Sequence, residues 1–262
     1  MRTVDAFTDR LFTGNPAAVV VLDDAPPDLW MLALAREMNL SETAFVIRES
    51  VPDADFRLRW FTPTVEMDLC GHATLAAAHC LIEDGVKPPI RFATRSGVLT
   101  VERWPDGAFT MDFPASPPVQ VALVRELADA LGTAVDWSGR SDSGLLIAVL
   151  ADEQTVRDLR PNIDAIARFD AIGVVPTAAA EAASPYDFVS RVFGPNVGVT
   201  EDPVTGIAHV VLAAYWTGRL GRTRLRGFQA SARTGIVEVE TRGDRVLIGG
   251  HAIGVLDAVL RC

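Results

Sequence analysis

Two stretches of this chain carry nearly the same order of polar and apolar positions. In "DLCGHATLAAAHC" (68–80) Cys70, Gly71 and His72 precede a run that is apolar at most positions. In "PVTGIAHVVLAAYW" (203–216) Thr205, Gly206 and Ile207 precede a run of the same kind. Both runs are too long and too continuous for strands. They predict helices from Gly71 to about Asp84 and from Gly206 to about Gly218. A helix apolar around most of its circumference has to be wrapped by protein on most sides. Shorter runs bounded by turn residues predict strands at "NPAAVVVL" (15–22), "TAFVIRE" (43–49) and "DFRLRWFT" (55–62). "DLWMLALAREMN" (28–39) predicts a helix with Asp28 near its start.

The two apolar helices belong to a longer internal repeat. Glu66, Gly71, Ala73 and Ala78 fall in register with Glu201, Gly206, Ala208 and Ala213. Arg95, Gly97, Val101, Glu102 and Asp106 meet Arg233, Gly235, Val239, Glu240 and Asp244. In both copies an alternating strand turns at "PDG" or "RGD" and returns, which is a hairpin signature. "SETAFVI" (41–47) lies over "FDAIGVV" (169–175), placing Asp170 at Glu42's position as a strand-end residue. Matches in one order predict a tandem duplication, each half reading strand, strand, helix, strand, long apolar helix, final hairpin. The Pro-rich "FPASPPVQ" (113–120) predicts a linker. The N-terminal lobe is then 1–116, completed by the tail at about 252–262, and the C-terminal lobe is 117–251.

Composition narrows the partners. The 262 residues are 49% hydrophobic and 22% charged, ordinary for a globular protein. A formal net charge of -10 argues against a nucleic-acid backbone as partner. No uninterrupted apolar run reaches the roughly eighteen residues of a membrane span, and an acidic residue as early as Asp5 argues against a signal peptide. Cys70, Cys80 and Cys262 form an odd, sparse set, which predicts free thiols in a reducing cytoplasm. With no zinc-type Cys/His spacing and no Rossmann or P-loop pattern, neither a metal nor a cofactor is expected.

Candidate chemistry gathers at the two helix starts. The first turn of a helix leaves backbone N–H groups unpaired, and their partial positive charge attracts anions. Gly71 and Gly206 would let a ligand approach that backbone closely, or would simply permit a tight strand-to-helix turn. One entrance per half predicts a small carboxylate-bearing ligand held between the lobes. Glu42 is the only charged residue between Glu37 and Arg48. It is either a carboxyl whose pKa is raised in apolar company or a solvated strand-end residue. His72 is either a substrate or Glu42 partner, or a helix-start residue satisfying its own backbone. Asp202 caps the second helix, holds a substrate group, or does both.

"DAFTDRLFTGNPAAVVVL", "EMNLSETAFV", "RWFTPTVEMDLCGHATLAAA", "EDPVTGIAH" and "FQASARTG" together resemble the PhzF family of phenazine-biosynthesis-like isomerases. The resemblance spans nearly the whole chain and is thinnest between about 120 and 185. It implies an α+β, diaminopimelate epimerase-like fold. That fold has two pseudo-symmetric lobes, each a curved, mostly antiparallel sheet around a central helix, with the site between them. It also implies a homodimer. By resemblance Glu42 is the catalytic glutamate, taking a proton from one substrate carbon and returning it to another. His72 and Asp202 match the other active-site positions.

Two features depart from the family pattern. Phenazine-making members carry a serine where this chain has Ile207, so the second entrance offers backbone N–H only. In related epimerases two cysteines face each other as an acid–base pair. Cys70 matches the first, but its repeat partner is Thr205, whose hydroxyl is far too weak an acid. Cys70 is then a small packing residue near the site. The expectation is a cofactor-independent isomerase with Glu42, His72 and Asp202 in catalysis. Asn15, Cys70, Gly71, Thr205, Gly206 and Ile207 would line the substrate. An epimerase of the same fold or a non-catalytic binding module are the alternatives. Asn15 follows a tight Gly14 turn and would face the cleft. His79 and His209 are expected to be packed or capped, His251 to lie in the last strands, and Trp60 and Phe61 to pack. Gln229 and Arg233 recur in the family's late motif, and Arg233 reads as a structural ion-pair partner.

Overall fold

The computed structural model describes residues 1–49 and 51–261, so Cys262 lies outside the described residues. The chain begins with β1 (Arg2–Ala6), β2 (Asn15–Leu22), α1 (Asp28–Met38), β3 (Glu42–Ile47), β4 (Phe56–Phe61) and β5 (Glu66–Met67). It continues through α2 (Gly71–Glu83), β6 (Ile90–Thr94), β7 (Gly97–Arg103), β8 (Phe109–Pro114) and β9 (Val119–Gln120). Next come α3 (Val124–Leu131), β10 (Trp137–Arg140), β11 (Leu145–Val149), α4 (Glu153–Asp158), α5 (Ile163–Ile166), β12 (Gly173–Ala179) and β13 (Phe188–Ser190). After a 3₁₀ turn at Pro195–Val197 the chain ends with α6 (Gly206–Leu220), β14 (Arg224–Gln229), β15 (Gly235–Arg242), β16 (Arg245–Gly250) and β17 (Ala252–Asp257). Two compact units divide it, Met1–Asp112 with Gly249–Cys262, and Phe113–Ile248.

In the first unit β2 lies antiparallel to β1 and parallel to β3. A strand paired on both edges and covered on both faces reads as a continuous apolar run, which is how "AAVVVL" follows Asn15 and Pro16. Val20, Phe45 and Phe61 pack on one face with Met31, Leu34 and Ala35 of α1. Alternation sends their strand neighbours to the opposite face, where α2 contacts β1, β2 and β3. Nine of the thirteen α2 residues are buried, Leu75 and Leu81 completely. The alanines between them let strands approach the helix closely. β17 pairs antiparallel with β1, bringing the C-terminal strand into this sheet. Arg95 pairs with Glu66 at 2.6 Å, so that Glu66 bridges it to Arg59.

The second unit repeats the pairing order. β1–β2 antiparallel, β2–β3 parallel, β3–β4 antiparallel, β4–β6 parallel and β6–β7 antiparallel have counterparts. These are β10–β11, β11–β12, β12–β13, β13–β14 and β14–β15, each with the same sense. α2 and α6 occupy equivalent places in this order. In α6 the buried residues include Val210, Val211, Leu212 and Trp216, whose indole N–H donates to Thr177 Oγ1 at 3.0 Å. A second core, built from Leu127, Leu131, Leu146, Val156, Val174, Val189 and Phe193, lies under α3, α4 and α5.

Three local expectations change. Asp170 is not on a strand: it sits in a bend before β12 begins at Gly173, where its carbonyl accepts from Arg140 Nη1 at 2.6 Å. The repeat register fails here because two short helices occupy the place of α1. Each of these is nucleated by its own cap, Asp152 accepting from Thr155 N at 2.7 Å and Asn162 from Ala165 N at 3.0 Å. The segment 113–120 is not a bare linker, since Val119 and Gln120 pair with Arg140 and Gly139. α6 runs past Gly218 to Leu220 and ends where Gly221 adopts φ +66°, a left-handed cap. Cys70 and Cys80 are buried and form no disulfide, and no described helix is long and apolar enough to cross a membrane.

Candidate active site

The parallel pairing of β2 and β3 puts their N-terminal ends side by side, with Ala17 opposite Glu42. Asn15 is the first residue of β2 and Glu42 the first of β3. Asn15 is placed by Gly14, whose φ is +72° and where an added Cβ would lie 2.3 Å from Ala6 O. Only glycine takes that turn without strain. α2 starts at the same place: Cys70 is its N-cap by position and His72 stands in its first turn. Asn15, Glu42, Cys70, Gly71 and His72, chosen from separate sequence segments, therefore converge in the first unit.

His72 is the hub of this group. Its Nε2 lies 3.2 Å from Glu42 Oε2. Its Nδ1 lies 3.4 Å from Asn15 Nδ2 and 3.5 Å from Cys70 Sγ. The amide nitrogen of Asn15 can only donate, so with the amide oriented this way Nδ1 accepts and the ring proton sits on Nε2, which is close to Glu42 Oε2 but outside hydrogen-bond geometry with it. Burial pushes the His72 pKa down to about 3, so the ring is neutral at physiological pH. Glu42 is not a solvated strand-end residue, since only 15% of its side chain is exposed. Cys70 is buried against the imidazole, while Cys80, further along α2, has its thiol pushed up to about 12 by burial and is inert.

In the second unit, Asp202, Thr205, Gly206 and Ile207 surround the start of α6. The Thr205 hydroxyl donates a short hydrogen bond to Asp202 Oδ2. Thr205 N donates to Gln229 Oε1 at 2.9 Å, and Gln229 Nε2 donates to Asp202 O at 2.7 Å. Gln229 is fully buried and ties the Asp202 loop to the helix start. Its place in the late family motif was the sequence signal, but its role is defined by partners on other segments. Neither Cys70 nor Thr205 makes a side-chain cap bond. Gly206 is buried and Ile207 half-buried. His209 closes the first turn, Nδ1 lying 2.8 Å from Thr205 O, and burial lowers its pKa to about 4. His79 lies 3.4 Å from Glu83, and His251 is exposed between β16 and β17. Trp60 and Phe61 pack in the core.

The fold is α+β and of the epimerase-like kind. The chain belongs to the phenazine biosynthesis-like (PhzC-PhzF) protein family, whose sequence profile matches residues 4–258. An uncharacterized isomerase of Pseudomonas aeruginosa is 51% identical over 251 residues, covering 95% of this chain and 93% of its own length. The crystal structure of a PhzF-family protein from Enterococcus faecalis superposes with a TM-score of 0.90 at 40% identity, over 97% of this chain and 96% of that one. A predicted epimerase from P. aeruginosa shares the fold, with a TM-score of 0.78 at 24% identity over 99% and 98% of the two chains.

Proposed function

We propose that this isomerase moves a proton within a small carboxylate-bearing substrate, with Glu42 as the single acid–base residue. The observation that carries this reading is the approach of Glu42 to the buried, neutral His72. A carboxylate acting this way has to take up one proton and give it back once per turnover, and it needs a fixed orientation to meet two substrate carbons in turn. Neutral His72 beside it adds no competing positive charge, and its Nε2–H would orient the carboxylate once the ring turns into hydrogen-bond geometry, which the 3.2 Å approach does not yet have. His72 in turn is held by Asn15 through Nδ1. In the first unit, the backbone N–H groups at Gly71 are a binding element for an anionic substrate group, since no cap side chain takes them; the start of α6 at Gly206 offers the same chemistry within the second unit. Within the second unit, Asp202, with Thr205 hydrogen-bonded to it, is placed to hold a polar group. Ile207 cannot donate a hydrogen bond, which favours a less polar group beside it than a serine would.

An amino-acid epimerase is the second reading, and Cys70 beside His72 is its supporting observation. It lacks a second thiol: Thr205 stands at the repeat position, its hydroxyl already donated to Asp202. Exchange in deuterated water separates the two. The probes are a panel of unsaturated small carboxylates and of amino-acid enantiomers. Deuterium uptake lost in Glu42→Gln and kept in Cys70→Ala supports the single-residue isomerase. Uptake lost in Cys70→Ala and kept in Glu42→Gln replaces it with the epimerase. Saturable binding without uptake reduces the protein to a binding module.

A further inference from the structure

We propose that Glu42, Cys70 and His72 also form a site for a thiophilic divalent cation of the Zn²⁺ type, whose binding reversibly shuts off proton transfer. One ligand atom from each of the three residues lies within 4.8 Å of the other two. Zn–S bonds of about 2.3 Å and Zn–N or Zn–O bonds of about 2.0 Å separate neighbouring ligand atoms of a tetrahedral ion by roughly 3.3–3.6 Å. The Cys70 Sγ to His72 Nδ1 distance of 3.5 Å and the Glu42 Oε2 to His72 Nε2 distance of 3.2 Å are already close to that spacing. These two distances run to opposite ring nitrogens, so an ion on either nitrogen has one neighbouring ligand at that spacing and draws in the other from within 4.8 Å.

The donor set selects the ion. A thiolate, an imidazole and a carboxylate suit a borderline-soft metal and disfavour Mg²⁺ or Ca²⁺, which take oxygen ligands. Cys70 stands at the start of α2, buried beside the imidazole of His72. All three ligands are anchored on regular elements, the first residue of β3 and the N-terminus of α2, so the site is held without ordering a loop. On binding, the Cys70 thiol releases its proton to solvent as the sulfur–metal bond forms, and no electrons are exchanged. Three protein ligands leave a fourth position for water. The regulatory half of this proposal rests on Glu42 being the acid–base residue: metal on its carboxylate removes the base, while His72 ligates through its lone pair and keeps its ring proton. Sequence spacing gave no hint of it, because Glu42 and Cys70 come from different elements.

The test uses Co²⁺ as a spectroscopic probe on the full chain, after chelator and reductant treatment and without substrate. One Co²⁺ per chain should bind, with a thiolate-to-cobalt absorption in the near ultraviolet that Zn²⁺ displaces. Cys70→Ala should abolish that band, and Cys70→Ser provides a second variant if alanine unfolds the chain, with circular dichroism checking the fold. Glu42→Gln and His72→Asn should weaken binding at least about tenfold, while Cys80→Ala leaves the spectrum unchanged. No band in the wild type, a band surviving both Cys70 variants, or unchanged affinity in Glu42→Gln and His72→Asn overturns the site. Deuterium exchange that continues at saturating Zn²⁺ overturns the inhibition. Exchange measured with chelator tests the isomerase reading separately, so a failure of one is not mistaken for a failure of the other.

Discussion

The carboxylate of Glu42 lies 3.2 Å from Nε2 of His72, although the two come from the start of a strand and the start of a helix. The pair is kept together by the parallel β2–β3 register and by packing of α2 against both strands.

The first prediction follows from that pair. Glu42→Gln should lower deuterium exchange by about 10²–10⁴-fold, the usual range for loss of a general acid–base. The amide retains the shape of the carboxylate, so the thermal midpoint should change little. His72→Asn keeps a polar group but loses Nε2–H. It should also slow exchange, by less than Glu42→Gln. Equal exchange in wild type and Glu42→Gln would remove Glu42 from the chemistry.

The buried histidines set the acid limit of stability. An unfolded histidine titrates near 6.5, but His72 and His209 are held down to about 3 and about 4 in the fold. Above pH 6.5 both are neutral folded and unfolded, and neither affects the pH slope. As pH falls from 6.5 towards 4, the unfolded chain binds protons that the native chain refuses, so stability is lost at up to about 1.4 kcal/mol per pH unit per group. Urea melts at pH 7 and pH 4.5 should show this loss in the wild type. A His209→Gln variant should lose visibly less over the same interval, though its starting stability is lower.

Much of the fold is written in the pattern of apolar positions. The helices at Gly71 and Gly206 are legible because continuous burial needs continuous apolar residues. The matching residues around them mark a repeated pairing order. The region of α3 to α5 is not legible in this way, because short helices bury few positions and leave a weak period. Their caps, Asp152 and Asn162, are ordinary-looking residues until the turn they close is known. Asp170 shows the limit of reading one copy from the other, since a changed connection shifts the register locally. The grouping of Glu42 with His72 comes from family resemblance and not from periodicity. Gln229 needed the structure, because a buried amide acquires its meaning only from partners on other segments.

The central helix should carry much of the first unit's stability. Leu75 is fully buried in α2, so Leu75→Ala should cost about 2–5 kcal/mol through lost transfer energy and a residual cavity. Leu29 on α1 is 81% exposed, and Leu29→Ala should change stability by less than about 0.5 kcal/mol. Denaturant melts of the two variants measure both. Similar losses in the two would mean that α2 is not the buried centre of its sheet.

Gln229 tests whether the second helix start is held by hydrogen bonding or by shape. Its Oε1 accepts from Thr205 N, while its Nε2 donates to Asp202 O. Gln229→Glu preserves the volume and the acceptor but sets a carboxylate oxygen against the Asp202 carbonyl. Gln229→Ala leaves both backbone groups buried without this partner, a cost of about 1–3 kcal/mol for each unsatisfied group. If hydrogen bonding dominates, both variants should be destabilised, and Gln229→Glu should be rescued towards low pH as its carboxyl takes up a proton and can donate again. If shape dominates, Gln229→Glu should melt with the wild type at all pH values and only Gln229→Ala should fall. Thermal melts from pH 5 to pH 8 distinguish these outcomes. A Gln229→Glu variant as stable as wild type at pH 8 would remove the amide from the support of Asp202.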